Sequence, residues 1–270
     1  MDIEIEEKEE IDQLDELVDR MNFEPLVSSS SLDWIKDETL VFIVRTQNPL
    51  TNFPILGKKI EEYVQIATSI CTQKFIEGED KIFDALLRWR DNYNNIAVFY
   101  DDTPLFQKST FFEIMQYFAS KKMNFLPLKR GFVIKSDYVE NFSSLLSSPI
   151  DLFSKEDFLV VKDGEAFNRA FKILSERIRN FHISEGVIIL GESTVFIDAD
   201  VQIESGAFIY PNNVIKGESV VCAGTVLESG NVIDNSIICE NAKVSGCHLK
   251  NCKITENKSV FGKSLTDEVL

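Results

Sequence analysis

Two adjacent carboxylates stand where an apolar run ends. Asp101 and Asp102 follow Asn95–Tyr100 (NIAVFY) and precede Thr103 and Pro104. Ligands of open α/β sheets gather at the carboxyl ends of strands. A carboxylate there can hold a divalent cation such as Mg2+, which in turn can bridge phosphates. The same four residues also suit a plain turn and helix start, so the pattern leaves both readings open. Arg45, near the end of a second apolar run, Thr39–Thr46 (TLVFIVRT), offers either a phosphate contact or a surface ion pair. Cys247, His248 and Cys252 lie close together, but their spacing matches no familiar zinc pattern and suits small residues at chain corners. His182 and His248 are the two imidazoles available as bases.

The elements that must position these residues follow from hydrophobic periodicity. It predicts strands over Thr39–Thr46, Asn95–Tyr100, Gly131–Lys135 and Phe158–Val161. It predicts helices over Lys58–Ile70, Asp80–Arg90 and Ser109–Lys121, and a long amphipathic helix over Glu165–Ile183. Alternation of this kind gives a parallel or mixed α/β domain, placed at residues 38–164 with a connecting helix at 165–185.

A different period follows. Ile197, Ile203, Ile209, Ile215, Val221, Leu227 and Ile233 are spaced by six, and the fifth place of each hexad holds a small or short residue such as Ala207, Ser219 or Asn231. Neither a helix nor an ordinary strand repeats at six. The spacing describes a left-handed parallel β-helix with one inward aliphatic residue per flat face. The ladder slips after Ile233 and resumes irregularly through Ile238, Val244, Leu249, Ile254 and Val260. The expectation is a solenoid over 186–262 with about four coils, and a C-terminal tail at 263–270. Flat solenoid faces can pack against further copies, so a homo-oligomer is expected.

Composition narrows the function classes. The net charge is −16, of which residues 1–40 carry −11 from fourteen acidic and three basic side chains. Little clustered positive charge remains for a nucleic-acid partner. Residues 1–37 read as an acidic tail with a weak apolar stripe and a Ser28–Ser31 linker. No apolar run approaches the roughly 18 residues that span a bilayer, so no membrane partner is expected, and no basic-then-apolar leader opens the chain, so secretion is not expected. An odd set of five cysteines suits reduced thiols in cytoplasm.

Three segments resemble the bacterial bifunctional N-acetylglucosamine-1-phosphate uridyltransferase and glucosamine-1-phosphate acetyltransferase family. Glu176–Pro211 is similar to the family's junction between an Arg-containing helix and its first coil. Pro54–Val64 (PILGKKIEEYV) resembles the segment after its nucleotide loop, and Val98–Phe106 (VFYDDTPLF) its Tyr-Gly-Asp-Thr-Pro-Leu strand end. The resemblance covers roughly residues 38–260. It implies Asp102 as a metal ligand and Arg45, Lys58, Gln73, Gly78 and Gly131 as nucleotide- or sugar-side positions. It also implies a sugar nucleotide as ligand and a trimer.

Departures from the family pattern are equally specific. The family's Gly-x-Gly-Thr-Arg loop stands here as Arg45-Thr46-Gln47-Asn48-Pro49-Leu50-Thr51-Asn52-Phe53, without glycine and with one backbone donor removed by Pro49. Asp101 replaces a glycine, and Lys162 falls where the family has a metal-binding Asn. An ammonium cannot ligate Mg2+. The expectation is that Lys162 takes the metal's place and pairs with Asp102. The family's acetyltransferase residues lie in later coils, so that activity is not expected here. Two functions follow: a catalytically impaired scaffold, sensor or regulator around UDP-N-acetylglucosamine and cell-envelope precursors, or an active nucleotidyltransferase making a UDP-sugar from UTP and a sugar 1-phosphate. A stand-alone acyltransferase would need a basic pocket for coenzyme A, and the sequence offers none.

Overall fold

The computed structural model describes residues 33–144 and 152–270. The acidic segment and serine linker expected at the N-terminus lie outside the described residues up to Leu32. The chain forms two compact units, one built from residues up to Pro54 and Lys59–Ala170, the other from Ile55–Lys58 and Phe171–Leu270.

The first unit is an α/β sandwich around one five-stranded sheet. Helix α1 (Asp33–Glu38) leads into β1 (Thr39–Arg45). A turn of 3-10 helix (Pro49–Asn52) follows, then the short strands β2 (Pro54–Ile55) and β3 (Lys58–Lys59), whose connecting residues Ile55–Lys58 count with the second unit, and α2 (Ile60–Ala67). Next come β4 (Thr72–Glu77), α3 (Ile82–Trp89), β5 (Asn95–Tyr100) and α4 (Lys108–Ser120). A hairpin of β6 (Phe125–Leu128) and β7 (Gly131–Lys135) completes the sheet, in the order β4-β1-β5-β7-β6. β1 pairs parallel with β4 and β5, and β7 runs antiparallel to both β5 and β6.

β1 shows why this sheet is buried on both sides. Leu40, Phe42 and Val44 join Ile76, Leu86, Ile96 and Val98 on one face, while Val41 and Ile43 join Val64, Phe99, Phe111 and Phe118 on the other. A strand apolar at every position is the mark of a central strand covered by helices on both faces.

Two strands escape sequence reading for the same reason. β4 is an edge strand with one buried residue in six, so TQKFIE lacks an apolar run. β6 is the opposite edge and carries Pro127, which an edge position tolerates. In contrast, Phe158–Val161, expected as a strand, begins in a turn at Phe158 and continues as chain outside any strand.

Helix α5 (Gly164–Ser184) leads into the second unit, a left-handed parallel β-helix. Its three faces hold four, five and five short strands. Inward residues stack in register: Ile203, Val221, Ile238 and Ile254 on one face, and Ile197, Ile215, Ile233, Leu249 and Leu265 on another. Along the first of these faces the step per coil shortens from 18 residues to 17 and then 16. Positive φ marks full and shortened corners alike, but at the shortened ones it falls two places after the inward residue, at Asn235, Gly246, Asn251 and Gly262, whereas at most full corners it falls at the third place, as at Gly206, Asn212 and Gly224. Each slip of the ladder falls at one of these earlier turns. Residues 263–270, expected as a tail, instead continue the solenoid: Ser264–Thr266 stacks on His248–Lys250, and Val269 bridges Lys253.

Small residues fill the corners as hydrogen-bonded columns. Asn213 and Asn231 are fully buried; Asn231 donates to Asn213 Oδ1 at 2.9 Å and accepts from the Cys247 N–H at 2.9 Å. A parallel column runs from Ser219 through Ser236 to the Cys252 N–H. Cys247 and Cys252 therefore serve as corner residues, and all five cysteines are free thiols.

Candidate functional site

Parallel pairing brings the ends of β1, β4 and β5 to one edge of the sheet. Because β7 runs the other way, the two-residue turn Lys129–Arg130 reaches the same edge. There a cleft of about 580 Å3 is lined by Arg45, Asn48, Gly78, Asp102, Arg130 and Lys162, among others.

The two strand-end carboxylates diverge. Asp101 is buried and turns to the loop after β1, accepting from the Thr46 N–H at 3.0 Å and its hydroxyl at 2.7 Å. Burial pushes its carboxyl up to about 6, the Thr46 donors work against that rise, and nearby Asp102 and Glu61 add to it. Asp102 is also buried but faces the cleft, and both of its oxygens are taken by one guanidinium. Arg130 donates from Nε at 3.1 Å and from Nη2 at 2.7 Å. Arg130 itself lies 3.7 Å over the Tyr100 ring and reaches Glu79 at 3.3 Å.

This corrects the expected partnership of Lys162. Lys162 lines the cleft but is exposed, with no carboxylate partner among the described residues. Asp102 belongs to Arg130. The sequence hid this partner because residue 130 comes near residue 102 only through the antiparallel β6–β7 hairpin. The cue available beforehand was the strand direction, which sends the turn before Gly131 to the carboxyl end of β5.

The other expected ligand residues have structural partners. Arg45 is held by Glu61 and Glu77, each at 2.9 Å, and lies over Phe75 at 4.1 Å. Lys58 belongs with the second unit, where it pairs with Asp200 at 2.5 Å. Gln73 lies outside the cleft and donates to Gln65 O and Thr68 Oγ1, closing the end of α2. Gly78 lines the cleft with φ 97°, its N–H bonded to Arg45 O. Gly131, at φ 122°, is required by packing: a Cβ there would lie 2.2 Å from Val98 O.

The loop after β1 is equally committed. The N–H groups of Thr46, Leu50, Thr51 and Phe53 all bond within the chain, to Asp101, the Asn48 side chain, Asn48 O and Leu50 O. Asn48 Nδ2 donates to Val161 O at 2.5 Å, and the Val161 N–H donates to Asp102 O at 2.9 Å, which pins residues 160–162 over the cleft. A phosphate cradle needs free backbone donors aimed at the ligand; these four are spent.

Nor do the residues fit a divalent cation. Mg2+ demands near-octahedral oxygen ligation, whereas Asp101 points away and Asp102 is engaged by Arg130. Among the described residues, no group of three acidic, His or Cys side chains is placed to hold a metal. Around the cleft, Arg45, Arg130 and Lys162 are balanced by Glu79, Asp80 and Asp102.

No family model matches the chain. It is 31% identical over 105 residues to the bifunctional protein GlmU of Clostridium acetobutylicum, a match covering 39% of this chain and 23% of the relative. Against the GlmU protein of Listeria welshimeri it is 33% identical over 105 residues, covering 39% and 22%. Among solved structures, a cytidylyltransferase from Leptospira borgpetersenii aligns with TM-score 0.41 and 10% identity, over 55% of this chain and 95% of that one. Over 39% of its length the chain is similar to bifunctional GlmU proteins, and the match spans less than a quarter of theirs.

Proposed function

We propose that the chain is a nucleotidyltransferase-like hexapeptide-repeat protein whose transfer chemistry is impaired. In this reading it acts as a scaffold, sensor or regulator around UDP-N-acetylglucosamine and cell-envelope precursors, in the cytoplasm, where its five thiols stay reduced. The observation that carries the reading is the forked Asp102–Arg130 pair. Nucleotidyl transfer needs cations and donors aimed at an anionic phosphorus centre. Here the strand-end carboxylate and four of the loop N–H groups are consumed internally. Self-association is part of the proposal, as a trimer. One solenoid face carries Ile188, Leu190 and Tyr210, exposed at 45%, 40% and 38%, with Phe208 and Val226 beside them. That is an apolar patch of the kind oligomers cover.

Calorimetric titration with UTP and with UDP-N-acetylglucosamine, each with and without Mg2+, tests the reading. Sugar-nucleotide binding indifferent to metal identifies a sensor, and no binding identifies a scaffold. Magnesium-dependent UTP binding that vanishes in Asp102→Ala would overturn the proposal in favour of an active uridyltransferase.

A further inference from the structure

Asp102 is the carboxylate at the end of β5 that faces the cleft, and it is met by a cation of matching shape. A guanidinium is planar and permanently charged, and it offers two parallel N–H groups to two carboxylate oxygens. Arg130 uses them in that way at 3.1 and 2.7 Å. The arrangement is built rather than incidental. The tight turn before Gly131 is enforced by the absence of room for a side chain over Val98 O. The Tyr100 ring and Glu79 then hold the guanidinium from two further sides.

We infer that Arg130 is a resident cation, fixed where an exchangeable divalent metal would otherwise sit, so that the cleft is permanently metal-independent. This deepens the reading above, since it concerns the same cleft. A metal on Asp102 would have to displace the guanidinium and would leave two cations competing for one buried carboxylate. A phosphate-bearing ligand would meet the remaining guanidinium N–H groups and the Lys162 ammonium directly.

The probe is Mn2+ alone, followed by electron paramagnetic resonance on the full chain and on Asp102→Asn. The acidic chain binds some Mn2+ elsewhere, so the readout is the difference between the two proteins. No difference is expected; a site present in the wild type and lost in Asp102→Asn overturns the inference. Should Asp102→Asn fail to fold, the wild type decides by itself: the Arg130 Nε–H resonance persists under Mn2+ if the guanidinium holds the site, and its selective loss means a metal has entered. Thermal unfolding of Asp102→Asn, Arg130→Gln and the double variant adds a check. The double variant should lose less than the sum of the two midpoint shifts, and strict additivity would contradict the pairing. Because no nucleotide is involved, the two failures are distinguishable: Mn2+ on Asp102 removes the pairing on which the impaired reading rests without showing turnover, and failure of nucleotide binding leaves Arg130's role intact.

Discussion

Asp101 should make the first unit less stable at neutral pH than in mild acid. Burial raises its carboxyl from the usual 3.8 to about 6, although two Thr46 donors bind the charged form. A group whose folded value is raised contributes stability below its unfolded value and loses it as pH climbs through the folded one. At about 1.4 kcal/mol per pH unit, the charge costs the folded state roughly 3 kcal/mol above pH 6. Asp101→Asn removes the charge while its amide oxygen can still accept from the Thr46 N–H. The variant should therefore match the wild type near about pH 4 and exceed its stability by up to about 3 kcal/mol near about pH 8. Both tryptophans, Trp34 and Trp89, lie in the first unit, so their fluorescence during urea unfolding reports on that unit alone. A stability difference that stays flat with pH would refute the reasoning, as would a variant weaker than the wild type near about pH 8.

Other perturbations have equally definite outcomes. His182 is buried with no partner for Nε2, and burial pulls its imidazole down to about 4. Relative to His182→Leu, the second unit should lose about 3 kcal/mol as pH falls from about 6.5 to about 4, followed by circular dichroism. Asn231→Ala breaks four hydrogen bonds in a fully buried corner column and should destabilise the solenoid by about 3 kcal/mol or more in denaturant unfolding. Gly131→Ala, which meets Val98 O and a positive φ together, should cost the first unit about 2 kcal/mol or more by Trp fluorescence.

The solenoid was legible because each of its residues has a one-dimensional job. Ile197 through Ile233 repeat at six, and every one of them is buried. Legibility faltered where corners shorten, since the left-handed residue at Asn235 comes one place earlier than at a full corner such as Asn212, which leaves the inward residue unchanged in type. In the first unit, β1 and β5 were readable because each holds an unbroken apolar run, Leu40–Val44 and Ile96–Tyr100, whereas the half-exposed β4 and the Pro-bearing β6 were not. The candidate site was legible only in part. Asp102 stands at the cleft, as its place after a buried strand suggested, and the loss of loop glycines agrees with N–H groups spent inside the chain. What pairs with Asp102 depends on which hairpin turn returns to β5, a tertiary fact with no local spacing. For the same reason Lys58 looked like a free cation, although it belongs with the second unit and pairs there with Asp200.

The most direct measurement is turnover itself: release of pyrophosphate from UTP in the presence of N-acetylglucosamine 1-phosphate and Mg2+. The account predicts no release above the protein-free background, and no further loss in Asp102→Ala. Sustained release that Asp102→Ala abolishes would contradict it.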